Sequence, residues 1–128
     1  MPENSILIVD DELLIRDLLY DFFVNQGWQP SMAENGQKAM AILEKQRVDL
    51  VLTDIRMPEM DGLELTSEMR QLYPDIPVII MTAYPTVESA VEALRNKVSD
   101  YITKPFNINQ LFKSVIAQLE TKKRKKQE

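Results

Sequence analysis

The sequence contains no cysteine and no histidine among its 128 residues. Disulfides, the usual zinc sites and Cys- or His-based nucleophilic mechanisms are therefore excluded. Any metal site must be built from oxygen ligands, and this donor set favours Mg²⁺, Ca²⁺ or Mn²⁺. The length fits one domain that is large enough to bury a hydrophobic core.

Long hydrophobic runs are also missing from the sequence. No apolar stretch approaches the length of a membrane span. Residues 1–5 lack the basic and apolar regions of a signal peptide. We therefore expect a cytoplasmic protein that makes no contact with a membrane.

Basic residues are outnumbered and concentrated at one end of the chain. Five of the 15 fall in residues 122–126, which leaves ten basic against 20 acidic residues elsewhere. The chain outside residues 122–126 is too acidic to bind nucleic acid well, so we expect no direct nucleic-acid contact. We predict a domain over residues 1–121, followed over residues 122–128 by a basic tail or the start of a linker.

Short apolar runs alternate with helical patterns along the chain. Most of the runs are continuous, which is typical of strands covered on both faces of a parallel sheet. The runs are residues 6–9, 50–52 and 78–81, the weaker pair 101–102, and residues 28–33, where Pro30 favours an edge strand. A helical pattern follows each run; Val87, Ala90, Val91 and Leu94, for example, have the spacing of one helix face. Five strand–helix repeats predict an α/β fold with a doubly wound parallel sheet, but leave the strand order open.

Chemically active side chains follow the ends of the predicted strands. They are Asp10, Asp11 and Glu12 after the first strand, Asp54 after the third, Thr82 after the fourth and Lys104 after the fifth. Ligands of open α/β sheets bind beyond the carboxyl ends of the strands, so we expect these groups at one edge. Clustered carboxylates need a cation, for which Mg²⁺ is suited. A carboxylate is also a nucleophile towards a phosphoryl group, whose oxygens a lysine and a hydroxyl would stabilise. Each residue alone more often serves as a cap, a turn or a surface group, so the hypothesis depends on their convergence.

Four segments in this order resemble the motif set of response-regulator receiver domains. They are Val9-Asp10-Asp11-Glu12, Asp54-Ile55-Arg56-Met57-Pro58-Glu59-Met60-Asp61-Gly62, Thr82-Ala83 and Asp100-Tyr101-Ile102-Thr103-Lys104-Pro105-Phe106. The resemblance covers residues 5–119. It implies a flavodoxin-like fold with five helices and a five-stranded sheet in the order 2-1-3-4-5. It further implies a two-component phosphorylation switch, in which Asp54 takes a phosphoryl group from a sensor histidine kinase.

The resemblance also assigns roles to the other residues. Asp11 and Asp54 would bind Mg²⁺ directly, Asp10 through water, and Arg56 through its backbone carbonyl. Lys104 would hold the phosphoryl group, with a cis peptide bond to Pro105. Thr82 and Tyr101 would form the switch pair, and Arg56 and Tyr84 match positions that tune the lifetime of the phosphoryl group. The protein would be no enzyme beyond catalysing its own phosphorylation and dephosphorylation.

The expected partners follow from the same resemblance. Phosphorylation would shift the surface formed by the fourth helix, fifth strand and fifth helix, which would contact a second copy or an output domain. The segment 82–106 resembles receivers of sigma-54-dependent transcriptional activators, which indicates transcriptional regulation. One departure is Lys97-Val98, where receivers often carry Gly-Ala. Without a glycine cap we expect the fourth helix to end differently, and Pro85 is expected to limit motion of the preceding loop.

Three other functions remain open at this point. Haloacid-dehalogenase-type phosphatases also use an aspartate and Mg²⁺, but they place a second aspartate where this chain has Arg56. A flavodoxin-like electron carrier would need a hydroxyl- and glycine-rich loop after the first strand, where three acids stand instead. A receiver that works as a phosphate-independent binding module is disfavoured because the acceptor, the metal acids, Thr82 and Lys104 are all present.

Overall fold

The computed structural model describes residues 4–57 and 60–127, with side chains described as far as residue 124. Pro58 and Glu59 of the second motif lie outside the described residues, as do residues 1–3 and 128. The strands are β1 (Ser5–Val9), β2 (Gln29–Ala33), β3 (Leu50–Asp54), β4 (Val78–Thr82) and β5 (Asp100–Thr103). The helices are α1 (Leu13–Asn25), α2 (Gly36–Lys45), α3 (Gly62–Leu72), α4 (Val87–Arg95) and α5 (Ile108–Gln127). Within the described residues, no helix is both long enough and apolar enough to cross a membrane.

The sheet is entirely parallel and has the order β2-β1-β3-β4-β5, which confirms the predicted fold. Successive residues of β1 point to opposite faces, so each face carries its own hydrophobic core. Leu7 and Val9 pack with residues of α2, α3 and α4, whereas Ile6 and Ile8 pack with residues of α1 and α5. Burial on both faces explains why the apolar runs are continuous.

Much of the apolar stripe of α4 is exposed instead of packing into the core. Val87 is 81% exposed and Leu94 is 76% exposed, while Ala93 is the buried residue of this helix. Helix α4 crosses between β4 and the edge strand β5, where the sheet offers little surface to cover. Helical spacing identifies a stripe of side chains, but it does not identify what the stripe contacts.

Helix α4 was expected to end differently from a helix with a glycine cap, but it ends in the same way. Lys97 adopts a left-handed backbone with φ of 57°, and the N–H of Val98 donates to the carbonyl of Ala93 at 3.1 Å. The end of α1 has the same arrangement around a glycine, Gly27, with φ of 83°. The lysine therefore takes the conformation that glycine takes more easily, so the lack of a glycine does not change how the helix ends.

The basic segment continues α5 as far as Gln127. Helix α5 packs against the sheet through Leu111, Val115 and Leu119, which span about two turns. The division into a domain over residues 1–121 and a tail over residues 122–128 stays a prediction.

Candidate functional site

The β1–α1 loop holds its acidic residues in place through backbone contacts. The N–H of Asp10 donates to the carbonyl of Ala33 on β2 at 3.1 Å, which continues the sheet pairing past Val9. The Asp10 carboxylate accepts the N–H of Glu12 at 2.9 Å, and the guanidinium of Arg16 donates to the Asp10 carbonyl at 2.6 Å. Asp10 is fully buried, while Asp11 and Glu12 are exposed beside it.

Lys104 joins the loop after β5 to the acids of β1 and β3. Its ammonium lies 2.7 Å from Asp10 Oδ2, 3.2 Å from Asp54 Oδ2 and 3.6 Å from Glu12 Oε1. The backbone N–H of Lys104 donates to the Thr82 carbonyl at 2.7 Å, and its peptide bond to Pro105 is cis, as the resemblance implied. Residues that are 94 positions apart in the sequence thus meet in one ion pair.

Charge and burial act against each other on these groups. Burial raises the pKa of the Asp54 carboxyl, and the nearby Asp10 charge raises it further, while Lys104 lowers it by a smaller amount. Burial lowers the pKa of Lys104, but its contacts with Asp10 and Asp54 outweigh burial and leave that pKa above its usual range. The lysine therefore stays charged, and its single positive charge faces two buried carboxyl groups.

The carboxylates form a group that fits a metal ion. Asp10, Asp11, Glu12 and Asp54 each present an oxygen, and these oxygens all lie within 4.8 Å of one another. Four carboxylates face one ammonium within the described residues of the cluster, and oxygen donors of this kind suit Mg²⁺. The chemistry of the donor set therefore matches the predicted metal, with Glu12 as an additional acid that the sequence-based ligand set did not include.

A cavity of about 180 Å³ opens beside Asp54 and is lined in part by Thr82, Arg56 and Tyr84. Its volume exceeds that of several water molecules, each of which occupies about 30 Å³, so a phosphoryl group fits. The Thr82 hydroxyl lies in this wall and accepts the N–H of Tyr84 at 3.1 Å. The guanidinium of Arg56 stacks on the Tyr84 ring at 4.5 Å from its centroid, and the pair forms part of the rim.

Gly62 packs closely against the backbone of Asp54, a contact that the sequence did not reveal. A Cβ atom at this position would lie 2.1 Å from the backbone oxygen of Asp54, a contact that any other residue would have to relieve. The N–H of Gly62 donates to the carbonyl of Ile55 at 2.9 Å, and Asp61 caps the start of α3 through its side chain. The glycine was visible in the motif, but the close approach depends on how α3 folds back over β3.

The remaining predicted residue, Tyr101, lies outside the acidic cluster. Its ring is half-buried on β5, and its hydroxyl lies 2.7 Å from Ser89 Oγ on α4. The structure thus brings together Asp10, Asp11, Asp54, Thr82, Arg56 and Lys104 at the carboxyl edge of the sheet. Tyr101 lies outside this group, and its hydroxyl contacts Ser89 in the first turn of α4.

Comparison with known proteins gives consistent results. A family model described as the response regulator receiver domain matches residues 6–116. The regulatory protein AtoC of Escherichia coli is 46% identical over 97% of this chain and 27% of its own length. The transcriptional regulatory protein ZraR of Klebsiella oxytoca is 42% identical over 84% of this chain and 24% of its own length. The chain therefore spans about a quarter of the length of these curated relatives, which are regulatory proteins by name.

Solved structures agree on the fold. A CheY-like response regulator receiver domain from Methanospirillum hungatei has a TM-score of 0.94 at 29% identity, covering 97% of this chain and 99% of that one. The response regulator TrrA from Thermotoga maritima, solved with Mg²⁺ and BeF, has a TM-score of 0.81 at 35% identity. That match covers 90% of this chain and 98% of TrrA.

Proposed function

Because the chain belongs to the family of response regulator receiver domains, we propose that it is a switch that accepts a phosphoryl group on Asp54. The donor is the phosphohistidine of a sensor histidine kinase, and the reaction requires Mg²⁺. One observation carries the proposal: a buried aspartate lies beside a cavity and shares a single lysine with a second buried aspartate.

The transfer is a displacement at phosphorus. A carboxylate oxygen of Asp54 attacks the phosphorus atom, and the bond from phosphorus to the donor nitrogen breaks. Its electron pair stays with the departing imidazole, and the product is an acyl phosphate on Asp54. The attack brings negative charge into a pocket that already contains Asp10 and Asp54, so cations must offset it. Lys104 supplies one positive charge at hydrogen-bond distance from both carboxylates.

Asp10, Asp11, Asp54 and the backbone carbonyl of Arg56 would hold the metal ion. Bound there, Mg²⁺ supplies positive charge that offsets the charge of the transferring oxygens. The other residues orient the reaction. Arg16 holds the carbonyl of Asp10 and so fixes the loop that carries Asp11. The similar response regulator TrrA was solved with Mg²⁺ and BeF, a ligand that resembles a phosphoryl group in charge and shape, and this supports the assignment.

The switch would run from Thr82 to Tyr101. Turning the Thr82 hydroxyl towards a phosphoryl oxygen breaks its contact with the Tyr84 N–H and frees the loop before α4. The surface formed by α4, β5 and α5 would then change its preferred partner. The exposed Val87 and Leu94 on α4 supply the apolar area that a protein partner would cover.

The partners would be a kinase, a second copy of the chain and an output domain. The relatives are regulatory proteins roughly four times as long as this chain, so we propose that a regulated output is part of its biological role. The protein would not act on an external substrate, and its chemistry would be limited to its own phosphorylation and dephosphorylation. The Arg56–Tyr84 pair at the rim would influence how fast water reaches the acyl phosphate.

Intact mass tests the proposal directly. The protein is incubated with acetyl phosphate and Mg²⁺, with Asp54→Asn as the matched variant, because its amide keeps the shape of the side chain. We expect one phosphoryl adduct in the wild type, none in the variant, and none after the metal is chelated. Equal adducts in both proteins would assign the acceptor to another residue. No adduct in either protein would favour a phosphate-independent binding module, and turnover of a phosphate ester would favour a phosphatase.

A further inference from the structure

Ser89 lies where the start of α4 meets the ring of Tyr101. Thr86 caps the helix, and its hydroxyl accepts the N–H of Ser89 at 3.0 Å. The Ser89 hydroxyl in turn accepts the N–H of Thr86 at 3.2 Å, which completes a reciprocal capping box. The box pairs a threonine with a serine three residues later, whereas Glu or Gln is the usual partner at that position.

The hydrogen bonds of Ser89 assign the direction of its contact with Tyr101. Ser89 Oγ lies 3.1 Å from the Thr86 carbonyl, which can only accept, and 2.7 Å from Tyr101 Oη. A serine hydroxyl has one proton and two lone pairs. If that proton goes to the Thr86 carbonyl, the lone pairs accept the Thr86 N–H and the Tyr101 O–H, and every group is satisfied.

We propose that Ser89 is a positioning residue that holds the Tyr101 side chain in its unphosphorylated position. The proposal rests on the proposed function, because Tyr101 matters as half of the switch pair. The Tyr101 ring packs against the core on the α2, α3 and α4 face of the sheet, so its body is fixed by packing and its hydroxyl by Ser89.

The contact connects Tyr101 to Thr82 through a short stretch of chain. Thr82 accepts the N–H of Tyr84, and Thr86, two residues further on, forms the box with Ser89. A turn of Thr82 towards a phosphoryl group releases the 84–86 backbone that supports this box. The hydroxyl of Tyr101 then loses an acceptor, and the ring gains freedom to move. A bond made in one state and absent from the other shifts the equilibrium by its own free energy.

The size of the effect follows from the strength of one hydrogen bond. A neutral, half-buried hydrogen bond contributes about a factor of five to an equilibrium constant. Ser89→Ala should therefore tighten the binding of BeF₃⁻ in the presence of Mg²⁺ about fivefold. Ser89→Thr keeps a hydroxyl and should restore affinity close to that of the wild type. Ser67→Ala, at an exposed position of α3, is the matched control and should change nothing.

A double-mutant cycle separates positioning from simple capping. Tyr101→Phe removes the other end of the contact, so the double variant should bind BeF₃⁻ about five times as tightly as the wild type rather than about 25 times. If Ser89 only capped α4, its effect would be the same with tyrosine or phenylalanine at position 101. Additive effects, or no effect of Ser89→Ala, would overturn the proposal.

The same double-mutant cycle can be measured by unfolding the proteins without Mg²⁺. This measurement tests the Ser89–Tyr101 contact separately from phosphorylation. The ratio of folding equilibrium constants should show a coupling of about fivefold between Ser89 and Tyr101. A wild type that binds no BeF₃⁻ while this coupling persists would refute the proposed function and leave the Ser89–Tyr101 contact established. An absent coupling in the unmodified protein would refute the positioning role, whatever Asp54 does.

Discussion

Replacing Lys104 with methionine should destabilise the unphosphorylated domain strongly. The substitution keeps an unbranched chain of similar length and removes only the charged end. Lys104 is 8% exposed, and its ammonium contacts the fully buried Asp10 and the nearly buried Asp54 at 2.7 and 3.2 Å. Without it, two carboxylates remain in a pocket that holds no other described cation within ion-pair distance.

The magnitude follows from the geometry. Two unit charges about 3 Å apart interact by roughly 5 kcal/mol at an effective dielectric constant of about 20, before desolvation is subtracted. Removing one partner of a buried pair costs about 3–5 kcal/mol. Asp54 can limit the loss by binding a proton, because burial has already raised its pKa. We therefore expect the free energy of unfolding to fall by about 3 kcal/mol at pH 7, near the lower end of that range. For a domain of this size, this corresponds to a decrease of about 10 °C in Tm.

Chemical denaturation of both proteins measures the difference, with Lys38→Met as the control. Lys38 pairs with Glu34 at the surface, where both side chains are at least half exposed, so its loss should change the stability very little. Saturating Mg²⁺ should restore part of the stability of Lys104→Met, because a bound cation would again offset the carboxylates. A loss below about 1 kcal/mol for Lys104→Met would refute this account of the pocket.

The pH dependence gives a second check with a definite sign. The folded-state pKa of Asp54 is raised, so the native state binds its proton more tightly than the unfolded state. That contribution to stability is fully present below the ordinary carboxyl pKa and is lost as the pH rises through the folded value. Losing Lys104 raises this pKa further. The stability difference between wild type and variant should therefore shrink as the pH falls from 7 towards 4.

Three more substitutions follow from the structure. Lys97→Gly should raise the free energy of unfolding by about 0.5–1 kcal/mol, since glycine relieves the left-handed backbone; lower stability on denaturation would contradict this. Gly62→Ala should cost about 3 kcal/mol and slow adduct formation, because its Cβ would collide with the backbone of Asp54; a loss under 1 kcal/mol would argue against the contact. Arg16→Met should weaken Mg²⁺ binding about tenfold in calorimetry by freeing the Asp10 carbonyl, and an unchanged affinity would exclude that role.

The fold was predictable because one physical cause shapes several features of the sequence. Strands covered on both faces must be apolar throughout, so residues 6–9, 50–52 and 78–81 stand out without any alignment. Helix α2 begins where the side chain of Asn35 accepts the N–H of Lys38, so its start depends on a local contact. The strand order depends on long-range pairing that local spacing does not record, and only the family resemblance supplied it.

Side chains at the sheet edge were easier to predict than those on α4. Asp10, Asp54 and Lys104 follow strands whose direction alone sends them to one edge. The exposure of Val87 depends instead on how much of the sheet surface near the edge strand β5 remains for α4 to pack against. The Ser89–Tyr101 contact depends on how closely α4 approaches β5 in the folded protein, so no local sequence pattern predicts it.

In the proposed switch, one lysine would take part in both the resting state and the response. Lys104 is the ammonium shared by Asp10 and Asp54, and a phosphoryl group on Asp54 would add oxygens that compete for it. Its backbone N–H is bonded to the carbonyl of Thr82, so the strand ends that carry the lysine and the threonine are mechanically joined. A shift of Lys104 towards new oxygens would therefore act on the same loop as the turn of Thr82. In the proposed switch, the two movements would reinforce one another when the Tyr101 side chain is free to follow, and the contact with Ser89 would hold or release that side chain.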